Sequence, residues 1–229
     1  VPVPLRTVAE SPLRALALPR EALLSVLELK PEAFRKAIAF LARQVLTLRN
    51  DLPYDPQDPP AIDEGETPSH PLDFVERLLR LRRIGPFRTT NIDALAELAK
   101  LEQEVRVAAG TKIWRRGEPA TFSLTLVAGR AACSTGRQSV PIGADWRLGT
   151  MDGLSGSPRA YTLEAVTDLV AISTPTNALF SVVEEQFELG AMILQAVAST
   201  LMQLWAAHRG EGEHMGIAQP NLLIERLMR

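Results

Sequence analysis

The spacing of hydrophobic positions changes along the chain and predicts the order of its elements. Near the N-terminus, Pro19 stands where proline fits the first turn of a helix over 21–29, with short strands expected before it at 6–9 and 13–18. Apolar positions three or four residues apart then form one face of a second helix: Phe34, Ile38, Leu41, Val45 and Leu48. About fifty residues with one apolar face per element cannot make much of a core alone, so this piece needs a surface to pack on.

From residue 73 the pattern predicts two more helices and then a run of strands. Helices are expected over 73–83 and from a Thr90 cap to 101, after which the apolar spacing shortens to about two residues. The expected strands are 112–114, 122–127, 130–133 and 161–173, beside alternation at Val105 and Val107. Glycines separate these strands, which is typical of a small β-barrel or sandwich. Pro175 opens another helix, and a long final helix carries an apolar stripe at Leu189, Ile193, Val197, Leu201 and Leu204.

Residues 51–71 have the composition of a linker. They hold six of the 17 prolines and six acidic residues. Proline fixes φ and removes backbone donors, so this stretch is expected to be extended and irregular, although it could still lie along a surface. It separates an N-terminal piece of about fifty residues from a larger C-terminal piece.

The N-terminal piece is similar in sequence to a part of the C-terminal piece. A shift of 156 residues aligns 9–49 with 165–205 without a gap. The identical pairs include Pro19 with Pro175, Leu23 with Leu179, Val26 with Val182, Glu28 with Glu184, and Leu48 with Leu204. Chance likeness between two Ala- and Leu-rich helices is the alternative, but the register runs through a strand, a proline-opened helix and a second helix. The repeat predicts that residues 1–50 are the closing part of a domain whose second copy is complete.

Composition excludes several classes of function. Hydrophobic residues make up 46% and charged residues 23%, with a net charge of -2, so no basic field is expected to hold nucleic acid or an anionic membrane. One cysteine and three scattered histidines give no metal site and no catalytic triad. No apolar run of about 18 residues and no signal peptide is visible, which predicts a cytoplasmic protein. No constellation of catalytic residues is present, so an enzyme is not expected.

The most specific motif is the segment 148–165, L-G-T-M-D-G-L-S-G-S-P-R-A-Y-T-L-E-A. It resembles the phosphate-binding cassette of cyclic-nucleotide-binding domains, F-G-E-L-A-L-x-x-x-x-P-R-A-A-T-V-x-A. An arginine at the Arg159 position can fork onto a cyclic phosphate, and a helix N-terminus with its loop amides can face the same anion. The resemblance implies cyclic AMP or cyclic GMP as a possible ligand and no other cofactor. It names as site residues Gly149, Thr150, Arg159, Ala160, Tyr161 and Thr162.

The resemblance also implies a fold and a domain layout. The expected class is α+β, mainly β: a jelly-roll β-barrel flanked by helices and preceded by the helical tail of a second such domain. The expected divisions are 1–50 for that tail, 51–72 for the linker, 73–207 for a complete domain, and 208–229 for a C-terminal tail or helix.

Three of the positions that depart from the family pattern bear directly on ligand binding. Thr150 replaces the glutamate that binds the ribose 2′-hydroxyl, and a hydrogen bond to such a charged group is worth about 1.5–3 kcal/mol. Asp152 brings a negative charge near the phosphate, and the ring of Tyr161 could fill part of the pocket. Arg159 itself could be a structural arginine that pairs with Asp152 or Glu164.

Three hypotheses follow. The first is a non-catalytic regulatory or sensor module of bacterial type, with tandem domains of this fold whose ligand binding is possibly lost. The second is a degenerate copy of the fold that serves as a protein-interaction or assembly domain, in which the helix 189–205 contacts a protein partner or a second copy. The third, a truncated transcription regulator of the catabolite-activator type, is disfavoured because only 24 residues follow Trp205.

Overall fold

The structure is a computed structural model, and it describes residues 11–12, 14, 17–49, 51–54 and 60–208. The expected strand at 6–9 and the tail at 209–229 lie outside this range. The helices are α1 Arg20–Leu29, α2 Pro31–Leu48, α3 Phe74–Arg83, α4 Ile92–Leu101, α5 Thr150–Ser155, α6 Thr176–Glu185 and α7 Phe187–His208, with a 3-10 turn at Gly85–Phe87. The strands are β1 Gln103–Val107, β2 Lys112–Trp114, β3 Phe122–Ala128, β4 Ala131–Ser134, β5 Ser139–Ile142, β6 Arg147–Leu148, β7 Thr162–Ala165 and β8 Leu169–Pro175.

The strands form two four-stranded antiparallel sheets. Their orders are β1-β8-β3-β6 and β2-β7-β4-β5. Alternate side chains from both sheets, Leu124, Cys133, Ile142 and Leu163 among them, fill one buried core because successive residues of a strand face opposite sides. The predicted α+β class, with a β-barrel flanked by helices, is confirmed.

Several predicted bounds were wrong in detail. The single strand expected over 161–173 is two strands, β7 and β8, that belong to different sheets and are separated at 166–168. The strands β5 and β6 were not predicted because they are short and β5 contains a proline. The N-cap of α4 is Asn91, whose side chain accepts from the Asp93 amide, and not Thr90. Of the strand expected at 13–18, the described residues have no regular structure.

The helices form a second core beside the barrel. Apolar residues of α1 and α2 contribute Leu27, Phe34, Ile38, Ala42 and Val45 to it. They pack against residues of α4, α6 and α7, and against Leu154 of α5. The N-terminal helix pair therefore has the packing surface that its size requires, and α2 lies across both α5 and α7.

The two helix pairs share their bounds as well as their sequence. A shift of 156 residues places α1 on α6 residue for residue, and the flanking backbone agrees: Pro19 has φ -59° and ψ 145°, and Pro175 has φ -60° and ψ 136°. Lys30, which separates α1 from α2, matches Gln186 in the same way. The ring of Phe34 also lies against Gly190, its own counterpart under the shift. This contact therefore joins positions that are equivalent under the shift.

The linker lies along the barrel where it is described. Leu52 and Tyr54 are buried, and the Tyr54 hydroxyl donates to the Pro141 carbonyl at 2.8 Å. Further on, the carbonyls of Asp63 and Glu64 accept from the amides of Ala144 and Gly129. The segment is irregular, as its prolines predicted, and it is held to the barrel through its backbone.

Helix α7 contains an apolar stretch of the length that the sequence was not expected to have. Residues Phe187–Ala206 of α7 are long and apolar enough to cross a membrane by length and composition alone. One face of this helix contributes Leu189, Ile193, Val197 and Leu201 to the helical core. The apolar composition thus includes the positions that pack against α2 and α6.

Candidate functional site

The cassette begins at a glycine whose conformation and surroundings exclude a side chain. Gly149 caps α5 in the left-handed region at φ +75°, and a Cβ there would lie 2.2 Å from Nη1 of Arg159. Because other residues adopt this conformation at a cost and would clash with the guanidinium, glycine is needed here. The turn places the backbone of Gly149 beside the guanidinium of Arg159.

Arg159 is buried inside the cassette. Only 2% of the residue is exposed, and its guanidinium stacks on the ring of Trp114 at 3.9 Å and lies over the ring of Phe122 at 4.8 Å. Nη2 donates to the Phe122 carbonyl at 2.6 Å, whereas Nε and Nη1 have no hydrogen-bond partner among the described residues. Burial lowers the pKa of Arg159, and the negative charge of Asp152 counteracts this. Nη1 lies 3.9 Å from Oδ2 of Asp152.

Asp152 is the acid that faces Arg159. It is 1% exposed, and its Oδ1 accepts from the amide of Ala160 at 3.3 Å. Burial raises the pKa of Asp152 to about 6, against the opposing effects of Arg159 and of the Ala160 amide. Of the two partners that the sequence left open for Arg159, the structure brings Asp152 next to it.

Tyr161 closes the other side of the same turn. Its hydroxyl accepts from the amide of Gly149 at 3.1 Å, and its ring lies 6.0 Å from that of Trp114. Burial raises the pKa of Tyr161 well above its ordinary value, so the hydroxyl is neutral near pH 7. An amide at the start of the cassette is therefore already hydrogen-bonded within the chain.

The two threonines of the predicted site do not face Arg159 in the same way. Oγ1 of Thr150 accepts from Nε of Arg147 at 3.2 Å, and Oγ1 of Thr162 accepts from the amide of Arg116 at 3.0 Å. The structure thus places Gly149, Ala160 and Tyr161 around Arg159. The two threonine hydroxyls instead accept hydrogen bonds from Arg147 and from the backbone of Arg116.

A second buried charge pair lies beside the cassette and was not predicted. Arg147 is 3.7 Å from Glu102, whose Oε1 also accepts from the hydroxyl of Thr174 at 2.7 Å. Burial lowers the pKa of Arg147 and raises that of Glu102, and each charge opposes the shift of the other. Glu102 lies 45 residues before Arg147 and in no motif, so the sequence held no sign of this pair.

An apolar cavity of about 140 Å³ lies between α2, the cassette and α7. Its walls include Val45, Phe87, Trp146, Leu148, Met151, Tyr161 and Val197, and its charged lining residues are Arg49, Arg147 and Asp152. Arg159 lines neither this cavity nor a second one between the two helix pairs. Trp146 is buried against Tyr54 of the linker, at 5.3 Å between ring centroids.

Trp205 and Cys133 lie outside the cassette. Trp205 is 40% exposed near the end of α7 and does not line the cavity beside the cassette. Cys133 is a free, buried strand residue, as expected. Within the described ranges, no group of three or more His, Cys, Asp or Glu side chains could hold a metal ion.

The fold and the cassette together define a class of protein. A jelly-roll of two antiparallel sheets, with a cassette helix between β6 and β7 and a helix pair after β8, is the architecture of a cyclic-nucleotide-binding domain.

Comparison with known proteins agrees with this class. A cyclic nucleotide-gated potassium channel from Rhizobium etli is 31% identical over 101 residues, which are 44% of this chain and 28% of the channel. The chain therefore spans less than a third of the length of the curated relative that it matches. This match confirms the family resemblance predicted from the cassette. No family model matches the sequence.

Solved structures with a similar fold have low sequence identity to this chain. The sensor domain of the transcriptional regulator DNR from Pseudomonas aeruginosa is 17% identical, with a TM-score of 0.49 over 56% of this chain and 96% of that one. The N-terminal domain of a transcriptional regulator from Streptomyces coelicolor is 19% identical, with a TM-score of 0.49 over 61% and 99%. A cyclic nucleotide-binding domain from Methylobacillus flagellatus is 20% identical, with a TM-score of 0.47 over 61% and 79%.

Proposed function

We propose that this chain is a non-catalytic regulatory module whose cassette does not bind cyclic nucleotides, because groups of the chain itself occupy its anion site. The observation that carries the proposal is the position of Asp152, whose carboxylate faces Arg159 and accepts from the Ala160 amide. In the family that the cassette resembles, that arginine and the neighbouring amides hold the cyclic phosphate. The carboxylate of Asp152 stands in for one edge of that phosphate.

Two further features support an internally filled anion site. The Tyr161 hydroxyl accepts a hydrogen bond from the Gly149 amide, and the rings of Trp114 and Phe122 each cover the guanidinium of Arg159. A phosphate would have to displace a buried carboxylate and would add a second negative charge within a few ångströms of the first. Such like charges repel strongly where water is excluded.

One observation favours the alternative, a cyclic-nucleotide sensor. Nε and Nη1 of Arg159 are buried without hydrogen-bond partners among the described residues. An incoming phosphate that reached them would find two free donors, and a buried unsatisfied donor costs about 1–3 kcal/mol. In this alternative, the anion would order the cassette and shift the helices that pack on it.

Calorimetry with cyclic AMP and cyclic GMP separates the two functions. We expect no heat of binding at millimolar ligand for the natural chain. Saturable binding that Arg159→Ala abolishes would contradict the proposal and support the sensor.

A revertant tests the role assigned to Asp152 and Tyr161. The variant Thr150→Glu, Asp152→Ala, Tyr161→Ala restores the family residues at the three departing positions, so we expect it to gain measurable cyclic-nucleotide affinity. The matched control is Thr150→Glu alone, which leaves the anion site filled and is expected to stay silent. Equal behaviour of the two variants would count against an internal substitute for the phosphate.

The helix pair at the N-terminus supports a tandem arrangement. Leu23 and Val26 of α1 are 44% and 51% exposed, whereas their counterparts Leu179 and Val182 in α6 are buried at 4% and 3% against the helical core beside the barrel. We propose that a first barrel, as complete as the second, covers this face of α1 in the whole protein. This favours the regulatory tandem over a self-contained assembly domain.

The partners of the module are proposed on the same basis. A regulatory part of the same protein or a protein partner would respond to the position of the helices, in a cytoplasmic setting. The potassium channel that matches part of this chain is, by its name, gated by cyclic nucleotides, and the matched part is a minor fraction of it. For the present chain the controlled part would lie outside residues 73–207.

A further inference from the structure

The apolar cavity between α2, the cassette and α7 has a cation without an acid near it. The guanidinium of Arg49, the residue that ends α2, lines the cavity, and its described hydrogen bond is from Nη1 to the Pro53 carbonyl at 3.0 Å. No carboxylate lies within salt-bridge distance of Arg49 among the described residues. A cation is favourable at a helix C-terminus, which explains an arginine here but not its position, partly buried, on the wall of an apolar cavity.

The surroundings of Arg49 disfavour its charge. Burial lowers the pKa of Arg49 to about 10, with Tyr161 as the main opposing influence. A charge removed from water is stabilised only by a partner of opposite sign or by several hydrogen bonds. The Pro53 carbonyl engages one of the five guanidinium N–H donors. Most of the donors therefore remain able to donate hydrogen bonds to an anion.

The other charged groups of the cavity each lie within 4 Å of a group of opposite charge. Arg147 faces Glu102 and three hydroxyl groups, and the oxygens of Asp152 are directed to the Ala160 amide and Arg159. Arg49 is therefore the group on this wall that a ligand would complete. Its planar fork matches a carboxylate, which can accept two parallel N–H groups.

The rest of the wall selects the body of the ligand. Phe87, Trp146 and Tyr161 supply aromatic faces, and Leu148, Met151 and Val197 supply aliphatic ones. A cavity of about 150 Å³ with such a lining holds a benzene-sized molecule. The volume here, about 140 Å³, is of that order.

We propose that this cavity binds a small aromatic carboxylate, with its ring among the apolar side chains and its carboxylate on Arg49. Benzoate is the simplest member of this class. Because the site takes Arg49 and Val45 from α2, Trp146 and Met151 from the cassette region, and Val197 from α7, the ligand would bridge three elements. Occupancy would then hold α2 on the cassette. The cavity shares Gly149, Thr150 and Tyr161 with the predicted site residues but does not include Arg159, so this input would not use the arginine that the resemblance places on the cyclic phosphate.

The test uses the chain as it is, with benzoate as the probe and benzamide as its uncharged match. We expect benzoate at about a hundredfold excess over its dissociation constant to raise the melting temperature by about 5 °C. It should also shift the NMR signals of the Val45 and Val197 methyl groups. Benzamide should bind at least about tenfold more weakly because it lacks the charge. Equal binding of the two probes, or no methyl shifts with benzoate, overturns the proposal.

Variants separate the site from general effects on the fold. Arg49→Gln should lose the preference for benzoate over benzamide, and Arg49→Lys should keep part of it. Ala196→Leu, which fills the cavity and retains Arg49, should abolish the binding of both probes. Arg137→Gln, an exposed arginine away from the cavity, is the control and should bind benzoate normally. Unchanged benzoate binding by both Arg49→Gln and Ala196→Leu would place the ligand elsewhere and overturn the assignment.

Parallel titrations with cyclic AMP keep this proposal distinct from the proposed function. Cyclic AMP binding that Arg159→Ala removes would contradict the silent cassette and leave the benzoate result standing. Benzoate failing to bind, with cyclic AMP also silent, would overturn only the cavity assignment.

Discussion

At the scale of single residues, the cassette is defined by an arginine that faces inward. Arg159 stacks on Trp114 and Phe122 and meets the carboxylate of Asp152, so its charge is balanced inside the protein. Removing one member of a buried pair leaves the other charge uncompensated, which typically costs about 3–5 kcal/mol. The two residues are therefore expected to contribute to stability as a unit, whatever the cassette binds.

Asp152 makes the stability of the protein depend on pH in a predictable direction. Its pKa is about 6 in the folded state and near 3.8 when it is exposed, so the folded protein holds the proton more tightly. Its contribution to the free energy of unfolding is therefore fully present below about pH 4 and is lost as the pH rises through 6. Asp152→Asn removes this loss.

Chemical denaturation at several pH values measures this contribution. As the pH rises from 4 to 7, the stability of Asp152→Asn relative to the natural chain should increase by an amount on the order of 2–3 kcal/mol. This change adds to the pH-independent cost of leaving Arg159 without its acid. The raised pKa of Glu102 affects both proteins alike and cancels in the difference. A difference that does not change with pH would show that Asp152 ionises normally in the folded state.

The sequence predicted some of these residue contacts and not others. That Arg159 could pair with Asp152 and that the Tyr161 ring could fill the pocket were both predicted, because the motif places these residues within ten positions of one another. The placement of Arg49 beside the cassette was not predictable, because it depends on α2 docking about one hundred residues away in sequence. A lone arginine at a helix end carries no local sign of such an environment.

At the scale of elements, the feature that shapes the site is the docking of α2 on α5 and α7. Nη1 of Arg43 donates to the Ser155 carbonyl at the end of α5, at 2.9 Å. At the other end of α2, the Phe34 ring lies 5.4 Å from that of Phe187 and directly against Gly190. The close approach of α2 to α7 depends on the absence of a side chain at Gly190.

A methyl group at Gly190 should push these helices apart. A Cβ there would lie 2.7 Å from ring atoms of Phe34 and 2.7 Å from a methyl carbon of Val183. Such overpacking typically costs about 1–3 kcal/mol, so Gly190→Ala should lower the free energy of unfolding although alanine favours helix.

Denaturant melts of Gly190→Ala and of Gln195→Ala, an exposed position on the same helix, test this. The control should change stability by less than about 0.5 kcal/mol. Stabilisation by Gly190→Ala would mean that α2 does not pack this closely on α7.

Helices were easier to predict than strands in this chain. Those of ten or more residues have a 3.6-residue apolar period, and α1 and α6 are opened by prolines. The strand β6 has only two residues, and β7 and β8 run together as one apolar stretch in the sequence. What separates β7 from β8 is a change of sheet, which is decided by long-range pairing and leaves little local trace.

At the scale of the whole molecule, the chain packs together two helix pairs that align under a shift of 156 residues, and the two pairs have different surroundings. The second pair buries Leu179 against the helical core beside the barrel, and the first pair leaves the equivalent Leu23 exposed. The repeat could be predicted from the sequence, but the difference in burial between the two leucines could not. Burial depends on which residues surround each position, and identical residues carry no information about that.

Charge substitutions at equivalent positions measure the asymmetry. Leu179→Asp would bury an unpaired charge and should cost more than about 4 kcal/mol, whereas Leu23→Asp should stay within about 0.5 kcal/mol. The free energies of unfolding of the two variants provide the comparison. In a longer chain that carries the proposed first barrel, Leu23→Asp should become as damaging as Leu179→Asp. Similar costs in the present chain would show that the α1 face is already covered.

The contact between Phe34 and Gly190 has a consequence for stoichiometry. A surface that one repeat offers to its own copy within a chain is not available to the same surface of another molecule. The face of α7 that α2 covers is thus closed to a symmetric dimer for as long as α2 stays docked. A change of oligomeric state through this face would require the chain first to break its internal pairing, so dimerisation and release of the cassette would be a single event.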